Sequence, residues 1–355
     1  VAYYWHEGGP GSYDQASRFG PAEWGRLHYD HPRYTEAITE IRRVTERQQS
    51  ASDSSAAEVA LVHSTRVIAT HNPERTRAFN GMFGHGVRSY FMQYAGFPFD
   101  EYQTELWHTL RRRYKVYLFT LPFEITSSER EAIMTRLRED DAMAIWTYAP
   151  GLMDEDGPDL RNCEALTGFR IERSDGPSHA HVTVSDLSAV AGAHCPGVET
   201  AGASYGTRED RATFERGCGY WSWPDDQRLP EVFFATEQPG TEVLGTLEGS
   251  DRIGLAVRRH EGFTSVYTAA PLLCGPVLRA LFLRAGAHCY APAGDLIYAS
   301  ERFLTIHATY AGTHRIALPA ARGVANAVTG ARLADSTSTI DLELELGETI
   351  VLELS

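Results

Sequence analysis

Glu7 stands in the run Trp5-His6-Glu7, a carboxylate beside an imidazole and a large ring. Hydrolysis of a glycosidic bond needs two carboxyl groups roughly 5–9 Å apart, one as acid and the other as base or nucleophile. If residues 1–5 are a strand of a barrel, Glu7 offers one carboxyl, Trp5 a face for stacking on a sugar, and His6 a hydrogen bond to a hydroxyl. The competing reading puts Trp5 in a core and His6-Glu7 on a wet loop. Glu124 follows a buried strand, at a sheet edge where ligands often bind. It also precedes a helix start, and a loop carboxylate is the plainer reading.

Cys163 lies between Arg161 and Glu164 in a helical pattern. A catalytic thiol needs a tight strand-to-helix elbow, where backbone N–H groups form an oxyanion hole. The strand end where such an elbow belongs reads Thr147-Tyr148-Ala149-Pro150-Gly151, with no thiol and a proline that removes an N–H. His179-Ala180-His181 with His194-Cys195 matches no zinc spacing. Alternation sets both histidines of the first pair on one strand face, packed or solvated. Trp221 and Trp223, with Tyr205 and Tyr220, make a sugar platform, an interface anchor or the core of a loop. No catalytic residue, metal site or cofactor is assigned from these patterns.

The clearest framework is residues 114–151. Val116, Leu118, Phe119 and Leu121 form a short apolar run that ends at Pro122, which predicts a strand. Thr126 and Glu129 have capping-box spacing at a helix start. Ile133, Met134 and Leu137 keep the helical period, and residues 143–148 form a second apolar run. Strand, helix and strand make a βαβ unit, which implies a parallel sheet covered on both faces.

Around this unit the chain divides into three parts. Residues 1–52 hold a strand at 1–5, a long loop, and an amphipathic helix carried by Tyr34, Ala37, Ile38, Ile41 and Val44. That is one βα unit, readable as the last of a TIM barrel, whose active face is built by loops after the strands. The Ser/Ala-rich run 48–57 reads as a linker. Residues 53–295 predict a strand at 58–62, a helix over 73–95, a strand at 97–102, a helix over 104–112 and the βαβ unit, the order of a doubly wound sheet. Beyond it come a helix ending at Gly168, strands at 169–173 and 181–185, and an irregular stretch over 187–230. Strands at 232–236, 242–247, 253–258 and 264–268 suggest a hairpin or meander. A helix over 272–285 with Gly286 at C′ and a strand at 288–290 follow. Residues 296–355 read as strands at 296–298, 303–307, 314–318, 325–329, 340–346 and 349–354.

The totals exclude some functions. Over 355 residues the formal charge is −14 with acids and bases interspersed, which argues against a nucleic-acid partner. No apolar run is long enough for a membrane helix. Five widely spaced cysteines without a C-x-x-C pair imply neither a disulfide framework nor a zinc knuckle. The chain opens Val-Ala-Tyr-Tyr-Trp-His, a strand-like start without Met. The true N-terminus is expected upstream, together with any catalytic residues it carries, and no compartment is indicated.

This layout resembles the β-galactosidases of glycoside hydrolase family 42. The residues that carry the resemblance are 114–119 with 126–131 and 144–151, then Gly286-Ala-His-Cys-Tyr290 with Gly294-Asp-Leu-Ile-Tyr298, and the segments 313–318 and 347–349. The resemblance implies a catalytic TIM barrel of which residues 1–52 are the remnant. It implies next a flavodoxin-like α/β domain similar to class I glutamine amidotransferases but without their chemistry, the trimerisation domain. A small antiparallel β-sandwich closes the chain. The expected function is that of a non-catalytic part of a glycoside hydrolase, with carbohydrate bound through the parent barrel and a homo-oligomer, a trimer among the options. The alternatives are a stand-alone assembly scaffold and an amidotransferase-like hydrolase.

Overall fold

The computed structural model describes residues 32–50, 53–64, 66, 92, 95–120, 122–192, 198, 200–206, 229, 231–292 and 294–355. The first element is helix α1 (Pro32–Ser50). It is longer than its apolar stripe, so residues 48–50 are helical where a linker was expected. The strand expected at residues 1–5 lies outside the described residues.

The parallel half of the main sheet follows sequence logic closely. Strands β1 (Val59–His63), β2 (Phe99–Gln103), β3 (Val116–Thr120) and β4 (Met143–Thr147) pair in parallel as β2-β1-β3-β4. Every residue of β3 and β4 is buried, as strands covered on both faces must be. Trp146 stacks on Phe119 across the pair at 4.3 Å. Helix α2 (Ser127–Asp140) starts with the predicted capping box: Glu129 N–H donates to Thr126 Oγ1 and Thr126 N–H donates to the Glu129 carboxylate. The helix expected over 104–112 is a 3-10 helix at Thr104–Thr109. The helix expected over 73–95 falls outside the described residues, apart from a turn in which Ala95 N–H donates to Met92 O.

The rest of the domain is β5 (Met153–Asp154), β6 (Gly157–Pro158), α3 (Leu160–Thr167), β7 (Ile171–Arg173), β8 (His181–Val184), α4 (Leu187–Ala191), β9 (Ala203–Gly206), β10 (Phe233–Ala235), β11 (Thr241–Leu247), β12 (Ile253–His260), β13 (Phe263–Thr268) and α5 (Gly275–Arg284). The expected meander is present, but it is no separate layer. β13 lies parallel to β4, and β12, β11, β8 and β9 continue the same sheet antiparallel. The sheet is therefore mixed, with a parallel core and an antiparallel wing. Part of the stretch read as irregular over 187–230 is ordered, as α4 and β9.

Residues 288–290 form no strand. Tyr290 and Ala291 both donate their N–H groups to the Gly96 carbonyl. Gly96 sits at φ +81°, and a Cβ there would lie 2.1 Å from Ala291 O, so only glycine fits this crossing.

The terminal module contains β14 (Leu296–Ala299), β15 (Phe303–His307), β16 (Gly312–Asn326), β17 (Arg332–Leu344) and β18 (Thr349–Leu354), ordered β14-β15-β18-β16-β17. They form one hydrogen-bonded sheet, in place of the two packed sheets a sandwich has. The strands expected at 314–318 and 325–329 are parts of the single long β16. Its register against β17 shifts between Ala317 and Arg322 and again up to Ala325, around Pro319. Those bulges bend the strand, so both ends pair with β17 without the sheet splitting. Ile297, Leu304, Ile306, Ile316 and Leu352 fill its own core. α1 joins this module through Arg47, which bonds the Glu353 carboxylate at 2.8 Å and the Ala327 carbonyl, and lies over the Phe303 ring.

Candidate functional site

An open α/β sheet binds ligands beyond the carboxyl ends of its strands, where the winding reverses. Here the reversal lies between β1 and β3, and among the described residues Arg66, Glu105, Glu124 and Glu129 come together there. Arg66 forks onto Glu129, with Nη1 and Nη2 at 2.8 and 2.6 Å from its two oxygens. Its backbone N–H donates to Glu105 Oε1 at 3.1 Å, and Ser64 Oγ donates to the same oxygen at 2.7 Å. Glu124 lies 3.9 Å from Arg66 Nε. Burial pushes the Glu129 carboxyl up, but Arg66 and the Thr126 N–H outweigh it and hold it below the usual carboxylate range. A bidentate arginine on a carboxylate that also caps a helix makes a rigid tie between β1 and α2. Glu124 belongs to this ionic set.

The strand end of β4 is the second place for chemistry. Tyr148 takes the left-handed conformation at φ +63°, rare for a bulky side chain and costly by about 1–3 kcal/mol. This is the kind of elbow that presents a nucleophile. Tyr148 instead turns inward and is buried. Its N–H donates to Thr268 O at 2.9 Å, its hydroxyl donates to Glu231 O at 2.7 Å, and its carbonyl accepts from Tyr267 Oη at 2.7 Å. The ring meets Phe233 edge-on at 5.1 Å. Burial pushes the Tyr148 hydroxyl well above the usual phenol range, so it carries no phenolate.

Comparison with known proteins bears on this frame. A β-galactosidase from Bacillus circulans sp. alkalophilus superposes with a TM-score of 0.55 at 12% identity, over 92% of this chain and 46% of that chain. A cold-adapted β-galactosidase from Rahnella sp. R3 gives 0.56 at 13% identity, over 92% and 45%. The chain has the fold of part of a family 42 β-galactosidase. A GH42 β-galactosidase from G. stearothermophilus gives 0.54 at 13% identity, over 92% and 44%. The chain thus spans less than half the length of these family 42 structures. No protein-family model matches the sequence, and no curated protein does.

The other sequence candidates fall into place or outside view. Trp5, His6 and Glu7 lie outside the described residues, as do His194, Cys195, Tyr220, Trp221 and Trp223. Cys163 is on α3 as expected and wholly buried, which pushes its thiol up to about 12. A thiol so placed keeps its proton and is a poor nucleophile. His181 is on β8, but His179 precedes the strand, so the two are not a single strand-face pair. Among the described residues no three His, Cys, Asp or Glu side chains gather as a metal site. Tyr205 is not a sugar platform: it is fully buried on β9, with its hydroxyl 3.1 Å from the Thr268 hydroxyl. Among the described residues no helix is long and apolar enough to cross a membrane.

Sequence reasoning missed Arg66. Its partners Glu105 and Glu129 are 39 and 63 residues away, and no local spacing announces such a tie.

Proposed function

We propose that this chain is the non-catalytic portion of a glycoside hydrolase resembling the family 42 β-galactosidases, and that it supports the catalytic barrel and assembles copies of it. In this reading residues 1–52 are the end of the barrel, with α1 as its last helix. Residues 53–295 are the flavodoxin-like, amidotransferase-related domain, and 296–355 the β domain. The carbohydrate substrate belongs to the barrel, and the oligomer, with a trimer as the first candidate, is built through the middle domain.

The observation that carries this is the occupied strand-end edge. Arg66 pairs with Glu129 beyond the ends of β1 and β3, and Tyr148 fills the elbow with a packed phenol. A sheet so arranged has its ligand positions used for internal ties. The share of the chain that superposes on β-galactosidases supports the kinship of fold on which the reading rests.

The test has two parts. The purified chain is assayed with a nitrophenyl β-galactoside, and its mass is measured in solution across concentrations. The expected results are no turnover and an oligomer. Robust hydrolysis would overturn the non-catalytic reading, and a monomer at every concentration would overturn the assembly role.

A further inference from the structure

His260, the last residue of β12, sits where three elements meet. It pairs with Phe263 of β13 across the Glu261-Gly262 turn, and the two rings stack at 4.8 Å, 11° from parallel. Gly168, the left-handed residue that ends α3 at φ +76°, presses on the same imidazole. A Cβ at Gly168 would fall 2.2 Å from His260 Cε1 and 2.5 Å from Nε2, so the ring rests directly on the backbone of the helix end. Gly262 in the turn packs on Arg138 of α2.

The end of α3 is held here by two side-chain bonds. Arg258 Nη1 donates to Gly168 O at 2.7 Å, and Ser265 Oγ donates to Thr167 O at 2.6 Å. Phe169 and Phe263 are buried at the junction. A helix as short as α3 has little stability of its own, so these contacts decide whether its end stays in place.

The imidazole is poorly placed to carry charge. Its Nε2 is buried and has no hydrogen-bond partner. A charged imidazole carries a proton on both nitrogens, so protonation strands an N–H inside the junction. The charges that face the ring are cations: Arg258 from β12 and Arg138 from α2 add to burial, and together they hold the His260 pKa below the usual imidazole range. Among the described residues no carboxylate forms an ion pair with it, neither Glu164 on α3 nor Glu261 in the turn. From β13 it meets the Phe263 ring.

We propose that His260 is an acid-sensitive latch on the end of α3: protonation drives it out of the junction, which frees the helix end and uncovers Phe169 and Phe263. The open junction binds a proton that the closed one refuses. The closed form is therefore fully stable above about pH 6.5, the ordinary imidazole value, and loses stability as pH falls below it. The latch lies at the amino ends of β4 and β13, away from the Arg66–Glu129 tie, and it does not depend on whether this chain belongs to a hydrolase.

The test is hydrogen exchange on the full chain, read segment by segment from about pH 7.5 to about pH 5 and corrected for the intrinsic pH dependence of exchange. In the unsubstituted chain, exchange in residues 164–169 and 258–265 should speed up about tenfold for each pH unit below about 6.5. Residues 116–120 and 143–147 should not respond. In His260→Gln, which cannot take the charge, the acid response should vanish. Arg138→Glu changes an exposed position of α2, gives the protonated ring an opposite charge nearby, and should shrink the response severalfold. A junction whose exchange ignores pH would overturn the proposal. So would an acid response that persists in His260→Gln, one that Arg138→Glu leaves as large as before, or a His260 ring that titrates above pH 6.5 in the native NMR spectrum.

Discussion

His314 and Asp295 form a buried pair inside the terminal sheet module, with Nδ1 2.8 Å from Oδ2 and side-chain exposures of 0% and 1%. His314 Nε2 donates to Tyr310 O at 3.1 Å, and the Tyr310 ring stacks on the imidazole at 3.9 Å. Asp295 Oδ1 accepts from Thr309 N–H at 3.0 Å. Every polar atom of the pair is met, which is the condition for burying such groups. Removing one partner leaves the other stranded. Asp295→Ala should therefore cost about 3–5 kcal/mol, read as a lower denaturant midpoint. A loss under about 1 kcal/mol would place the pair at a wet surface instead.

A second expectation concerns alkaline pH. Burial raises the Cys163 thiol to about 12 and the Cys289 thiol to about 11, from 9.0, and the Tyr290 hydroxyl to about 12, from 10.0. Each keeps its proton in the native state over a range where the unfolded chain has lost it. Folded pKa values above the unfolded ones give stability that is complete below about pH 9 and fades as pH climbs toward 11–12. Melting temperature measured from pH 7 to 11 should fall steeply only above 9. Iodoacetamide at pH 8 should label Cys163 after denaturation and hardly at all before it. Rapid native labelling would contradict the burial.

Tyr148 allows a graded test. Tyr148→Phe deletes the bond to Glu231 O and should cost about 0.5–1.5 kcal/mol. Tyr148→Ala also empties the space against Phe233 and should cost about 3–5 kcal/mol. Two equal values would mean that the ring contributes nothing.

Arg47 ties α1 to the terminal sheet from a half-exposed position. Arg47→Ala should change global stability by no more than about 1 kcal/mol. Amide exchange in α1 should nevertheless speed up, while the main sheet is unaffected. Unchanged exchange in residues 36–49 would show that other contacts hold the helix.

How far the sequence reaches depends on the range of the interactions. The β3-α2-β4 unit was legible because its signals are local: a buried apolar run, a capping box three residues wide, a second run. The meander strands were legible from alternation and Gly turns. That β13 docks beside β4 was not, because nothing in either strand names a partner so distant. β16 was split in two because Pro319 reads as a strand end, whereas at a bulge its missing N–H costs no ladder bond. At the candidate site, the residues of the strand end, Thr147-Tyr148-Ala149-Pro150, could be read from the sequence, but the inward turn of Tyr148 could not. The Arg66–Glu129 tie could not, since a lone arginine after a strand has too many destinations.

The seam between β4 and β13 also bears on how the chain reaches its shape. Trp146 and Ser265, bonded across that seam, are 119 residues apart. The parallel core cannot be sealed until the antiparallel wing has been synthesised and has folded back. Until then β4 presents an apolar edge to anything nearby. Long-range strand pairing of this kind slows folding and exposes intermediates to aggregation. The chain is expected to refold slowly, with recovery that falls as concentration rises, and a truncation ending before residue 263 should be insoluble.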